Sequence, residues 1–159
     1  MTKFKIAIVA GILAGGAAVA ADVEPMNVAF DDYGAVAMSL TGAAGNVDEG
    51  IKIYSSRSLG NCVACHQVSS LPDVAFPGEV GPTLDGVADR WNEAELRGIV
   101  ADAKKTYDGT VMPSFYKTSG YIRPGNAYTG KAAEEPLPPI LSAQQIEDVV
   151  AFLMTLKEE

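Results

Sequence analysis

One histidine, two cysteines and one tryptophan are all that 159 residues contain of these three side chains. So small a stock of soft and nitrogen ligands excludes several architectures. A closed zinc site asks for four Cys or His ligands, and this chain offers three. Basic residues are also scarce: 12 Lys and Arg stand against 20 Asp and Glu, a formal net charge of −8. A chain so acidic is not built to neutralise phosphates, which excludes nucleic acid as a partner. No stretch alternates apolar and polar residues long enough to argue a sheet, and no segment repeats.

The scarce ligands are gathered in one place. Both cysteines and the histidine fall within Asn61-Cys62-Val63-Ala64-Cys65-His66. C-x-x-C-H is the attachment signature of a c-type haem. Cysteines three residues apart stand about one helical turn from each other, so both thiols reach the vinyl groups along one porphyrin edge. The next residue then points its imidazole at the iron. A dithiol redox pair is the competing interpretation, but such a pair ends a strand in a βαβ unit, and nothing from Leu59 to Val68 alternates like a strand. Cys62 and Cys65 are therefore expected to hold the haem as thioethers, with His66 as one axial ligand. With both thiols so committed no disulfide is available, and the cofactor itself becomes the staple.

A second histidine cannot complete the iron, because there is none. Among the five methionines, Met1 leaves with the N-terminal segment described below, Met26 and Met38 precede the domain, and Met154 belongs to the last helix. Met112 remains, 46 residues beyond His66 in Thr110-Val111-Met112-Pro113-Ser114-Phe115. Methionine fills cores readily, yet the proline that follows holds Met112 extended, and no stronger ligand competes. Met112 is the expected second axial ligand, a His/Met pair that raises the potential. Gly81-Pro82-Thr83-Leu84-Asp85-Gly86-Val87 lies between the two ligands. A haem histidine commonly donates its free ring N–H to a carbonyl; Pro82 is the candidate acceptor, and Leu84 is expected to pack on the porphyrin. A plain Gly-Pro turn is the alternative. Arg90, Trp91, Tyr54, Tyr107, Tyr116 and Tyr121 are open to core or pocket roles and receive none.

Three helices are expected around this centre. The first starts near Val47 or Asp48 and runs through Arg57, with Val47, Gly50, Ile51 and Tyr54 on one face. Gly50 inside that face costs about 1 kcal/mol relative to alanine and marks a tight crossing. The crossing partner is the last helix, opened by the capping box of Ser142 and Gln145 and carrying Ile146, Val149, Val150, Leu153 and Leu156 or Lys157. Phe152 and Leu153 are its natural contacts with Gly50 and Tyr54. A third helix spans Glu93 to Ala101, capped by Asn92 with Glu95 at the box position. Ser69 to Pro82 is irregular, and Pro113 to Pro139 is a long ordered loop.

Residues 1–21 resemble an export signal: Lys3 and Lys5, an apolar run from Ile6 to Leu13, then small residues ending Ala18-Val19-Ala20-Ala21. Its removal leaves 10 basic and 20 acidic residues, a formal −10, on a chain expected in the periplasm with no membrane anchor after cleavage. Residues 22–46 form a leader whose Val28, Phe30, Val36, Met38 and Leu40 pack on the domain itself or on a partner subunit. Residues 47–159 form the haem domain.

Gly50-x-x-x-Tyr54, Cys62-x-x-Cys65-His66, Gly81-Pro82-x-Leu84, Met112-Pro113 and Val149-Val150-Ala151-Phe152-Leu153 together resemble the class I cytochrome c family over residues 47–157. The resemblance implies an all-α fold, its first and last helices crossed beside one covalently attached haem c held by His and Met. The leader, Met112 to Lys117, Tyr128-Thr129-Gly130-Lys131 and the stretch from Ile140 to Leu153 are similar to a narrower family, SoxX, the monohaem subunits of SoxAX cytochromes. That likeness implies a heterodimer with a SoxA-like c-type cytochrome subunit, an L-cysteine S-thiosulfotransferase in which thiosulfate is joined oxidatively to a cysteine of the carrier SoxYZ. It places the thiol chemistry on the SoxA side and electron acceptance on this chain, which then passes electrons to a small cytochrome c. Residues 132–139 make a longer loop than that family usually has. The alternatives are a free class I cytochrome c shuttling between respiratory complexes and a gas-binding haem with an open iron. No acid/base pair, nucleophile or anion pocket can be located in the sequence, so no residue of this chain is expected to be catalytic.

Overall fold

The computed structural model describes residues 21–122, 124–125, 128–133 and 136–158. The expected signal peptide lies, but for Ala21, outside the described residues. The described residues form four α-helices in order: α1 (Val47–Ser55), α2 (Val87–Arg90), α3 (Glu93–Asp102) and α4 (Ala143–Leu153). Among the described residues there is no strand, only an isolated bridge between Gly125 and Ala132. No described helix is long and apolar enough to cross a membrane.

Each long helix starts where its side chains supply a cap. Asn46 accepts from the Glu49 N–H at 3.1 Å, and Asp48 and Glu49 place negative charge at the positive end of α1. Asn92 with Glu95 opens α3, and Ser142 with Gln145 opens α4, each a complete capping box. The first helix stops at Ser55, short of the expected Arg57. Ser55 Oγ donates back to the Ile51 carbonyl at 2.6 Å, and Ser56 turns extended. Serine hydroxyls here compete with the helix for its own carbonyls. The buried face also differs from expectation: Gly50, Ile53 and Tyr54 are buried, whereas Val47 is exposed and Ile51 half-buried. Gly60, just ahead of the C-x-x-C-H motif, packs against Ile53, where a Cβ would lie 3.1 Å from the Ile53 side chain.

The crossing of α1 and α4 is as close as Gly50 implied. A Cβ there would overlap the Asp148 carbonyl oxygen and lie 2.7 Å from Phe152 Cβ. Beside it the Tyr54 and Phe152 rings pack at 5.6 Å, tilted by 57°. The last helix departs from a simple amphipathic pattern: Glu147 and Asp148 are buried together with Ile146, Val149, Val150, Phe152 and Leu153. Leu156 lies past the helix end and is buried all the same, its carbonyl accepting from Ala88 N–H of α2 at 3.0 Å. The short α2 carried no sequence signal beyond Gly86, whose φ of +66° makes the left-handed turn into it.

The two buried carboxylates explain where the leader goes. It packs on its own domain, with Val36 and Leu40 in the core. Arg97 of α3 forks onto Glu147 at 2.9 and 3.0 Å, reaches Glu93, and donates to the Val36 carbonyl at 3.0 Å. Glu147 also accepts from Leu40 N–H at 2.7 Å, and Asp148 from Asn46 N–H at 2.8 Å. Tyr116 Oη donates to the Val23 carbonyl at 2.7 Å. Burial pulls the Arg97 guanidinium towards neutrality, and its bonds to Glu147 and Glu93 more than offset this, so its pKa is raised.

Candidate functional site

The C-x-x-C-H segment is a single turn of 3-10 helix, Cys62–Ala64, entered through Asn61 in the left-handed region at φ 50°. Asn61 tolerates that conformation better than most residues, and its Oδ1 is buried with no hydrogen-bond partner among the described residues. The turn closes as Cys65 N–H and His66 N–H both donate to the Cys62 carbonyl, at 3.1 and 2.9 Å. Tyr54 Oη donates to the His66 carbonyl at 2.7 Å, tying the motif to α1.

The imidazole is held from the other side by the Gly81-Pro82 turn. His66 Nδ1 lies 2.7 Å from the Pro82 carbonyl oxygen. A carbonyl only accepts, so Nδ1 carries a proton, and in the neutral tautomer the lone pair falls to Nε2. Gly81 is pressed against the ring: a Cβ there would lie 2.7 Å from Nδ1 and 2.8 Å from Nε2. The turn is itself fastened. Leu84 N–H donates to the Gln67 carbonyl at 2.9 Å, Asp85 accepts from Ser69 N–H and Oγ, and Arg90 donates to the Thr83 and Asp85 carbonyls.

Between α1, α3, α4 and the Met112 segment lies an apolar cavity of about 330 Å³ lined by Tyr54, Cys62, His66, Pro82, Leu84, Trp91, Leu96, Tyr107, Met112, Phe115, Val149, Phe152 and others. A second hollow of about 500 Å³ shares Cys62, His66, Pro82, Met112 and Phe115 with it and adds Cys65, Asn61, Leu59, Val80, Val111 and Ile140. The six residues singled out in the sequence thus meet at one place, Leu84 on the inner side and Cys65 on the outer. Trp91, Tyr107 and Phe115 also line the inner cavity, as do Leu96, Ile99 and Val100 from the one side of α3 that helical spacing gives them. Trp91 and Tyr107 pack edge-on with centroids 6.1 Å apart. Tyr116 and Tyr121 turn elsewhere, to Val23 and Lys117.

The donor set and its surroundings fit a haem. An apolar slot, an imidazole anchored through Nδ1, a thioether-bearing loop and two thiols on one turn are what a covalently bound porphyrin requires. They do not fit a dithiol redox centre: burial pushes the Cys62 thiol up to about 11, so it is no ready nucleophile. No group of three or more His, Cys, Asp or Glu that would suit a metal ion on its own occurs among the described residues.

The cytochrome c family model matches residues 47–157, and the chain belongs to that family. Fold and site together define a haem c protein of the all-α, class I type. A chain of the solved structure of SoxXA from P. pantotrophus is 61% identical, with a TM-score of 0.83, covering 87% of this chain and 100% of that one. A match so extensive makes this a SoxX-type cytochrome. Among curated proteins none matches.

Proposed function

We propose that this chain is the electron-accepting haem subunit of a two-subunit, SoxAX-type thiosulfate-coupling enzyme, an L-cysteine S-thiosulfotransferase of the periplasm. The observation that carries this is its 61% identity to a chain of SoxXA over that chain's full length. The N-terminal export-type segment supports the compartment. In the reaction a carrier thiol and thiosulfate form an S–S bond, releasing one proton and two electrons, and the electrons leave through this chain singly. A bound haem c supplies the one-electron ferric–ferrous couple for those transfers.

The chain's own residues set the conditions. Cys62 and Cys65 would anchor the group as thioethers, and His66 and Met112 would ligate its iron. Pro82, by accepting from Nδ1, fixes the imidazole's direction and raises its basicity. Leu84 and the apolar lining exclude water, and that exclusion together with the thioether ligand favours the reduced state. Around the mouth, Val80, Val111, Leu59 and Ile140 are exposed and uncharged, a rim suited to close approach of a second redox protein. With Cys62 and Cys65 committed to the haem, the thiol chemistry falls to the SoxA-like partner. The carrier SoxYZ and a small acceptor cytochrome c are then transient partners.

Co-expression with a SoxA-like subunit tests this. The pair should purify as a heterodimer, and its haem should become reduced on addition of thiosulfate and reduced carrier. An assembled pair that stays oxidised refutes the assignment. In the same preparation Met112→Ala should abolish the weak far-red ferric band of an iron–thioether bond, and a wild type without that band would refute Met112 as ligand.

A further inference from the structure

Met112 sits in a segment without regular structure, so something other than a helix must hold its sulfur in place. The α3 corner does so on alternate residues. Asp102, the last residue of α3, is buried and accepts from Ser114 Oγ at 2.5 Å and from Lys104 N–H at 3.3 Å. Ser114 is buried as well. Lys104 Nζ donates to the Met112 carbonyl, and Tyr116 N–H donates to the Ala101 carbonyl at 3.0 Å. Residues 112, 114 and 116 are thus each fastened to the stretch 101–104.

We propose that Asp102 and Lys104 are positioning residues for the sixth ligand: they fix how far the Met112 thioether reaches into the cavity and so govern whether the iron's second axial position stays closed. The proposal rests on Met112 as ligand. A thioether is a neutral, weak donor, and ordering a free loop costs conformational entropy at every residue, more than one weak bond repays over several of them. Only a loop already ordered presents such a ligand stably. Lys104 grips the backbone of the ligand residue itself, and Asp102 grips the residue beyond Pro113, which is fixed in φ and has no N–H of its own to anchor.

The test uses the intact haem protein with Asp102→Ala, Lys104→Met and the near-isosteric Asp102→Asn. Three readouts report on the iron: the far-red ferric band, the midpoint potential and the rate at which the reduced protein binds carbon monoxide. Asp102→Ala and Lys104→Met should lose most of the band, lower the potential and bind carbon monoxide at least about tenfold faster, with helix content unchanged. Asp102→Asn should stay close to wild type, since its Oδ1 still accepts from Ser114. Wild-type band, potential and gas binding in both disruptive variants overturn the proposal alone; absence of the band from the wild type overturns it together with Met112 ligation. If Asp102→Ala fails to fold, Ser114→Ala, which deletes only the partner hydroxyl, takes its place: the same three changes are expected, and wild-type values in it and in Lys104→Met overturn the proposal.

Discussion

Replacing Arg97 with methionine removes the cation at the centre of the buried cluster that joins α3, α4 and the leader. Arg97 and Glu147 side chains are each only 4% exposed, so the carboxylate left behind has no water to turn to. Among the described residues its one remaining donor is Leu40 N–H, and the Val36 carbonyl loses the guanidinium too. Removing one member of a buried pair costs about 3–5 kcal/mol. Over a domain of this size that lowers Tm by roughly 10–15 °C. Glu93 contributes little to the loss, since its side chain is 60% exposed and is rehydrated when Arg97 goes. Arg97→Lys keeps the charge but not the planar fork, and should fall between wild type and Arg97→Met. Thermal and urea unfolding of the haem-loaded protein, followed by far-UV circular dichroism, measures all three, and a double-mutant cycle with Glu147→Gln isolates the pair. A loss below about 1 kcal/mol for Arg97→Met, or a cycle without coupling, would refute the view that this pair clasps the leader to the domain.

Gly81→Ala drives a methyl into the His66 ring; it should cost about 1–3 kcal/mol and change the haem spectrum, whereas wild-type stability and spectrum would show that the turn yields freely. Asp85 is held below its ordinary 3.8 by hydrogen bonds from the Ser69 side chain and backbone, then by Thr83 and the charge of Arg90. A lowered folded-state value means that its contribution is complete above that ordinary value and disappears as pH falls through the lowered one. The stability gap between wild type and Asp85→Asn should therefore be constant at neutral pH and close under acid; a gap unchanged down to about pH 2 would exclude this linkage.

Sequence alone made the haem centre legible because its chemistry is concentrated in residue types the chain hardly uses elsewhere. One histidine and two cysteines leave few arrangements, and Met112 followed by proline stands out among five methionines. Capping boxes at Asn92 and Ser142 announced two helix starts, and Gly50 announced the crossing. What stayed hidden shares one physical cause. Periodicity assigns charged residues to water, so no pattern draws Glu147, Asp148 or Arg97 inward, and only their hydrogen-bonded partners bring them in. For the same reason the leader's place was undecidable: its anchors are backbone groups of Val36, Leu40 and Asn46, which sequence patterns do not display. Trp91 and Tyr107, aromatics in short or irregular segments, likewise carried no signal that would aim them at the cavity.

The carboxylates of Glu147 and Asp148 reach back to partners 107 and 102 residues earlier in the chain. A polypeptide made from its N-terminus must therefore leave the backbone of Leu40 and Asn46 unclasped until almost the last helix exists. These long closures place leader docking late in folding, after the local helices and turns have formed. The carboxylates that close the last part of the leader are supplied by the last helix.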